Sequence, residues 1–276
     1  MAAQRAGLAH GTYYAAELDK HAIQMTQDKH PETVQMGDVT KWREWNIDWA
    51  SIGFVSAGFP CQSWSLAGKQ LGDKDGRGML FWVTLDIIAN VLKHNPSAKF
   101  VMENVKMKKE FEEYITMHTE YALGEVHKTL INSALVSAQN RNRYYWTNFE
   151  VSQPEDKGIH LADVIESGAV DREKSYCIDA NYFKGVSLKY YLTKKRRQIA
   201  LKQGEQRLCV FEKDDERPVR KLTPLECERL QTLPDNYTLV QDDNGKQLVS
   251  NTQRYKAIGN GMTADVMAHI IKESLK

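Results

Sequence analysis

Between Tyr13 and Phe149 short apolar runs alternate with stretches of helical spacing, and this alternation restricts the fold more than any other feature of the 276 residues. Leu80, Val83, Ile87, Ile88 and Val91 recur at the helical period. The stretch stops at Asn95 and Pro96, and a strand-like run follows at once from Lys99 to Met102. Strand, helix and strand in this order predict an α/β fold: a mostly parallel sheet with helices on both faces. Such sheets bind ligands at the carboxyl ends of their strands.

Three polar motifs fall at the expected strand ends. The apolar run Ile52 to Ala57 leads through the turn residues Gly58 and Phe59 into Pro60, Cys61 and Gln62, placing a thiol at a strand-to-loop corner. A second strand, Phe100 to Met102, ends in Glu103, Asn104 and Val105, and further on stand Gln139, Asn140, Arg141, Asn142 and Arg143. A thiol, a carboxyl group and paired guanidiniums suit covalent chemistry on a polar heterocycle.

With 42% hydrophobic residues the chain can bury one large core with an appendage, or two modest ones. Its formal charge of +1 gives no global attraction for nucleic acid, so a basic footprint must be local. Lys189 to Arg207 supplies one, with Lys194, Lys195, Arg196 and Arg197 at its centre and Tyr190 and Tyr191 interleaved; a solvated helix face is the competing reading. The four cysteines, at 61, 177, 209 and 227, form neither a C-x-x-C pair nor a metal-like spacing with histidine. No metal site is expected, and reduced thiols fit a cytoplasmic protein. No run approaches the length of a membrane span.

After Phe149 the pattern changes. Gln153 to Gly158 is a polar connector, and the region to about Arg217 has shorter apolar runs and more charge. Thr223 is a plausible cap for a helix from Pro224 to Gln231, Asp242 to Gly245 reads as a turn, and Asp265 to Leu275 as a final helix. Trp42, Trp45 and Trp49 read as packing residues, and Cys177, Cys209 and Cys227 as small hydrophobes.

These residues resemble the DNA cytosine C5 methyltransferases, in particular the compact bacterial and phage kind. Gly58 to Gln62 is similar to the family's nucleophile motif, Glu103 to Val105 to its acid motif, and Gln139 to Arg143 to its arginine motif. Arg220 to Pro224 with Glu226, Arg229 and Gln231 resembles the segment bracing the recognition domain, and Arg254 to Gly261 the motif returning to the cofactor pocket. The resemblance implies a Rossmann-like, S-adenosylmethionine-dependent sheet carrying a small target-recognition domain. Residues 1–149 would be the catalytic domain, 150–219 the recognition domain, 220–250 the bracing segment and 251–276 the return to the catalytic domain.

By the same resemblance Cys61 is the nucleophile that adds to C6 of cytosine, Glu103 meets N3 and the exocyclic amine, and Arg141, with Arg143 close by, supports the base carbonyl and the nucleophile. An isolated thiol has a pKa of about 8.5, so the nucleophile needs a cation or helix terminus nearby. Burial would favour a protonated carboxyl at Glu103. Glu17 would accept the ribose hydroxyls of S-adenosylmethionine, Leu18 would pack on the adenine, Asp38, in the next loop with Val39, would accept from its amine, and Pro60, Leu80, Asn260 and Gly261 would complete the pocket. The target base in double-stranded DNA must leave the stack, at a cost of roughly a few kcal/mol. Gln62, Ser65 and the Lys194 to Arg197 cluster are the expected DNA contacts. A monomer, with a restriction enzyme in the same system, is the expected context.

One departure stands out. The family's glycine-rich turn behind the first strand has no match here, and Glu17 has only sixteen residues before it. Met1 to Ala6 would then end the first helix and Tyr13 to Ala16 form the second strand. The expectation is a chain that is poorly stable alone, binds cofactor weakly, or is short at its amino end relative to its functional form. Two other readings fit the same residues: a non-catalytic relative that binds DNA or regulates a partner, and a methyltransferase acting on cytosine in RNA.

Overall fold

The computed structural model describes residues 1–8, 11–60, 78–185, 187–202, 207–211 and 218–276. In chain order these form α1 (Ala2–Ala6), β1 (Tyr14–Ala15), α2 (Lys20–Lys29), β2 (Val34–Gln35), β3 (Phe54–Gly58), α3 (Leu80–His94), β4 (Lys99–Val105), α4 (Lys109–Leu123), β5 (His127–Asn132), β6 (Asn142–Thr147), α5 (Leu161–Val164), α6 (Leu188–Lys194), β7 (Ile199–Leu201), β8 (Val219–Lys221), α7 (Pro224–Leu230), α8 (Asn251–Asn260) and α9 (Ala264–Glu273). Two compact units result. One comprises residues 36–131, 142–153 and 272–276, the other residues 1–35, 132–141 and 154–271.

The first of these units is built on a four-stranded sheet in the order β3-β4-β6-β5. β3 and β4 are parallel, joined through α3 as the sequence pattern predicts, with Gly58 opposite Glu103. β6, however, runs antiparallel to β4, with Val105 opposite Arg143, so the sheet is mixed and not mostly parallel. The arginine motif therefore enters its strand at the amino end instead of closing one at the carboxyl end. Reversal of β6 still brings that end level with the carboxyl end of β4, because antiparallel neighbours share an edge head to tail.

The core of this unit follows from α3. Phe81, Leu85, Ile88 and Val91 are its buried stripe, whereas Leu80, Val83 and Ile87 are only half-buried. Phe81, Leu85 and Ile88 pack in one cluster with Phe100 and Met102 of β4, Ile115 of α4 and Trp146 of β6. Each large side chain taken fully out of water contributes about 1.5–3 kcal/mol, so this layer fixes the sheet that carries Glu103. Trp42 meets Trp49 edge-on at 5.7 Å and Trp45 stacks on Trp49 at 6.4 Å, which agrees with a packing role.

In the other unit β1 and β2 form a two-stranded parallel sheet, and β7 and β8 an antiparallel pair. Thr223 caps α7 as predicted, and Glu226 at the third helical position returns its carboxylate to the Thr223 N–H, completing a capping box. Leu161, Ile165, Tyr182, Leu222, Leu230, Tyr255 and Ile258 make the main core of this unit, and Tyr191, Ile199, Leu201 and Phe211 a second one. Two buried carboxylates organise α7. Glu226 is gripped by both terminal nitrogens of Arg220 at 2.7 Å and also accepts from the Glu166 N–H. Glu228 is gripped by Arg254 and accepts from the backbone of Asn236 and Thr238. Buried carboxylates of this kind persist because every oxygen is matched. Asp242 to Gly245 form the predicted turn, with Gln241 and Gln247 bridged across it.

Candidate active site

The carboxyl end of β4 carries a partly buried polar pair beside the apolar core of its unit. Arg143 Nε lies 2.8 Å from Glu103 Oε1, and both side chains are only 13% exposed. Register explains the meeting: Glu103 and Arg143 sit two residues apart along the edge, opposite Tyr145 and Val105 respectively, so both side chains leave the same face. Next to them Asn104, 1% exposed, turns inward and donates through Nδ2 to the Phe59 carbonyl at 3.2 Å, while its Oδ1 accepts from the Val105 N–H at 2.8 Å. Asn104 thus ties the end of β4 to the residues that lead from β3 into Pro60. Its anchoring role was not legible in the sequence, where the only signal was a polar residue inside an apolar strand. Cys61, Gln62 and Ser65 lie outside the described residues.

Arg141 behaves differently from Arg143. It is 2% exposed, and its terminal nitrogens donate to Ile178 O at 2.9 Å, Gly261 O at 2.8 Å, Gly259 O at 3.3 Å and Cys177 Sγ at 3.3 Å. A guanidinium with both terminal nitrogens engaged this way holds backbone in place. Cys177 is accordingly more than a small hydrophobe, since its sulfur is an acceptor. Gln139, fully buried, donates to Leu230 O at 2.9 Å and accepts from the Ile178 N–H at 2.8 Å, fastening the same segment.

The residues expected to hold the cofactor fall into two groups. In one unit Glu17 uses a single oxygen, Oε1, to accept from the N–H groups of Leu18 at 2.7 Å and Asp19 at 2.8 Å, and Leu18 is 70% exposed. Lys256 on α8 reaches Asp19 at 3.4 Å, so Glu17 and Leu18 are near neighbours of the helix that ends in Asn260. Asn260 is exposed, and Gly261 caps α8 with its N–H on Ala257 O at 2.9 Å. A carboxylate with its second oxygen uncommitted among the described residues, beside an exposed leucine, fits a ribose with an adjoining purine. In the other unit Asp38 caps the turn that begins at Val39. Its carboxyl sits below the ordinary carboxylate range because the Thr40 N–H and hydroxyl donate to it, at 2.9 and 2.8 Å. Pro60 and Leu80 are half-buried at the ends of β3 and α3.

Lys194 and Lys195 are exposed at the end of α6, where Lys195 closes the helix in the left-handed conformation with φ 49°. Arg196 is exposed and pairs with Asp179 at 2.9 Å, and Arg197 donates to Gly185 O at 3.3 Å. The cluster is therefore not uniform: two lysines point to solvent, and two arginines also hold local structure. Among the described residues no group of histidine, cysteine, aspartate and glutamate could hold a metal ion. No helix among the described residues is long and apolar enough to cross a membrane.

The fold is that of the Rossmann-like methyltransferases. Superposition on the Entamoeba histolytica methyltransferase EhMeth gives a TM-score of 0.69 at 15% identity, over 96% of this chain and 89% of that one. The Spodoptera frugiperda DNMT2 structure gives 0.64 at 19% identity, over 100% and 95%. A profile of the C-5 cytosine-specific DNA methylases matches residues 1–169 and 108–276, and the chain belongs to that family. Type II methyltransferase M1.ScrFI of Lactococcus lactis subsp. cremoris is 28% identical over 305 aligned residues, covering 95% of this chain and 71% of the relative. M.NlaX of Neisseria lactamica is 27% identical over 299, covering 94% and 87%. The chain is thus a DNA (cytosine-5)-methyltransferase, a class that takes its methyl group from S-adenosylmethionine.

Proposed function

We propose that the reaction is carried by Cys61 as nucleophile, with Glu103 and Arg143 as the pair that binds the ring, on a cytosine flipped out of double-stranded DNA. The observation that supports this most is the Glu103–Arg143 contact at 2.8 Å, at the end of the strand paired with the one leading to Pro60 and Cys61. A thiolate at Cys61 adds to C6, which gives C5 the electron density an aromatic ring lacks. Glu103 accepts from the exocyclic amine, and the Arg143 guanidinium holds the carboxyl group in place. S-adenosylmethionine, when bound, supplies the methyl group that C5 takes. Loss of the C5 proton then breaks the S–C6 bond and frees Cys61. Arg141 acts at a remove, by holding the carbonyls of Ile178, Gly259 and Gly261 and the Cys177 sulfur.

Glu17, Leu18, Asn260 and Gly261 would hold the ribose and adenine, and Asp38, Val39, Pro60 and Leu80 are the further proposed cofactor contacts. Residues 150–219 would read the target, with Lys194 and Lys195 on phosphates; phosphate contacts set register and base contacts set sequence. Bracing by residues 220–229 is supported by Arg220 on Ser167 O at 2.6 Å and Arg229 on Val164 O at 2.9 Å. The protein would work in the cytosol as a monomer, with a restriction enzyme of the same system as a candidate partner.

Bisulfite sequencing of DNA from cells expressing the chain tests the reading. Protected cytosine in one short context, lost in Cys61→Ser, is the expected result. Labelled methyl groups appearing in transfer RNA and not in duplex DNA would reassign the substrate.

A further inference from the structure

The carboxyl end of α8 leaves carbonyl oxygens that no helical N–H can reach, and such groups need partners wherever water is excluded. Two side chains from elsewhere in the same unit supply them. Gln231, fully buried at the end of α7, donates through Nε2 to Ile258 O at 2.8 Å and to Gly261 O at 3.0 Å. Arg141 Nη2 donates to the same Gly261 oxygen at 2.8 Å. That carbonyl therefore has a donor for each of its lone pairs.

The amide of Gln231 can sit only one way round. Its Oε1 accepts from Thr263 Oγ1 at 2.7 Å and from Gln139 Nε2 at 3.3 Å, and a flipped amide would face two carbonyl oxygens with a third. Because the Thr263 hydroxyl gives its proton to Gln231, Ser133 Oγ is the donor in its 2.8 Å contact with Thr263. Every donor and acceptor of the Gln231 side chain is used, and a fully satisfied buried network is rigid. The same end of α8 lies flush against residues 179–180: a Cβ on Gly259 would come within 2.3 Å of the Asp179 carbonyl carbon. On the opposite side of the turn Asn260 stands exposed.

We infer that Gln231 is a positioning residue for the methyl donor, which it never touches: by anchoring Ile258 O and Gly261 O it fixes the turn from which Asn260 and Gly261 meet the cofactor. The inference rests on the reading of Asn260 and Gly261 as cofactor contacts. Gln231→Met keeps length and burial but removes both donors. In the full chain without cofactor, the Gly261 amide of this variant should exchange with deuterium roughly tenfold faster, the effect of about 1.4 kcal/mol. Its dissociation constant for S-adenosylmethionine, by calorimetry, should rise by a similar factor, and its KM for DNA should stay within twofold.

Unchanged exchange, or a KM for DNA that rises as much as the cofactor constant, would overturn the inference. Asn260→Ala separates the two claims. If it leaves cofactor affinity unchanged, the underlying reading fails and the inference falls with it; if it weakens affinity while a folded Gln231→Met does not, the inference alone fails. Should Gln231→Met not fold, Thr263→Val, which removes only the hydroxyl orienting the amide, is judged by the same measurements with a roughly threefold change expected.

Discussion

Arg141 and Arg143 are two residues apart in one motif, yet their surroundings are opposite in kind. Arg143 opens β6 and meets the Glu103 carboxyl group in a site that keeps some exposure, whereas Arg141 is spent on carbonyls and one sulfur in a buried corner. The chain crosses from one compact unit to the other between them. A motif is a row of letters, and the neighbours of each letter in space decide what it can touch. Substitutions at the two positions should therefore separate into loss of fold and loss of rate.

Arg141→Ala has the largest expected effect. It takes a charged donor from three backbone carbonyls, of which Gly261 O keeps Gln231 Nε2, and leaving a buried acceptor unsatisfied costs about 1–3 kcal/mol each. Denaturant unfolding should show a lower midpoint with an unchanged slope, and a midpoint close to wild type would end the structural assignment of Arg141.

Arg143→Lys and Glu103→Gln come next and should act on rate. Loss of a positioned group at a reacting centre costs roughly 10²-fold, about 2.7 kcal/mol of barrier. Methyl transfer to duplex DNA should fall by about that factor while the unfolding midpoint hardly moves. If instead Arg141→Lys lowers the rate this much in a protein of wild-type stability, the roles of the two arginines are exchanged.

The sequence carried much of this and stopped at a definable place. Helical spacing in residues 80–91 and the capping residue Thr223 are local signals, and both elements appear where local chemistry puts them. The direction of β6 is not a local property. It depends on which edge of β4 was open, so the sheet is mixed where a mostly parallel one was expected. Letters could not separate the two arginines either, because what distinguishes them is a set of carbonyls at 178, 259 and 261, far along the chain. Gln231 was visible only as part of a bracing segment, since a buried glutamine is recognised by its partners and not by its spacing.

Asn104→Leu tests the frame on the Glu103 side. It fills the space but removes the Asn104 Nδ2 hydrogen bond to the Phe59 carbonyl, at a cost of about 1 kcal/mol. Stability should drop by less than for Arg141→Ala. Because the freed residues lead to Pro60, methyl transfer should fall several-fold as well, and a purely thermal effect with normal rate at saturating substrate would argue against a link between Asn104 and the nucleophile loop.

The smallest effect belongs to an exposed pair and calibrates the buried ones. Arg229 holds Asp235 through two contacts, at 2.7 and 2.6 Å, and the Asp235 carboxyl lies below its ordinary range chiefly because of that hydrogen bonding. A carboxyl depressed in the folded state stabilises the fold above its unfolded pKa, near 3.8, and loses that contribution as pH falls through the lower folded value. With Asp235 46% exposed, solvent screening keeps the contribution below about 1 kcal/mol. Asp235→Asn should thus be slightly less stable than wild type at pH 7, and the two unfolding curves should converge in acid. A gap as wide as that of Arg141→Ala, or one that persists below the folded pKa, would mean that exposure does not rank these contacts as their burial implies.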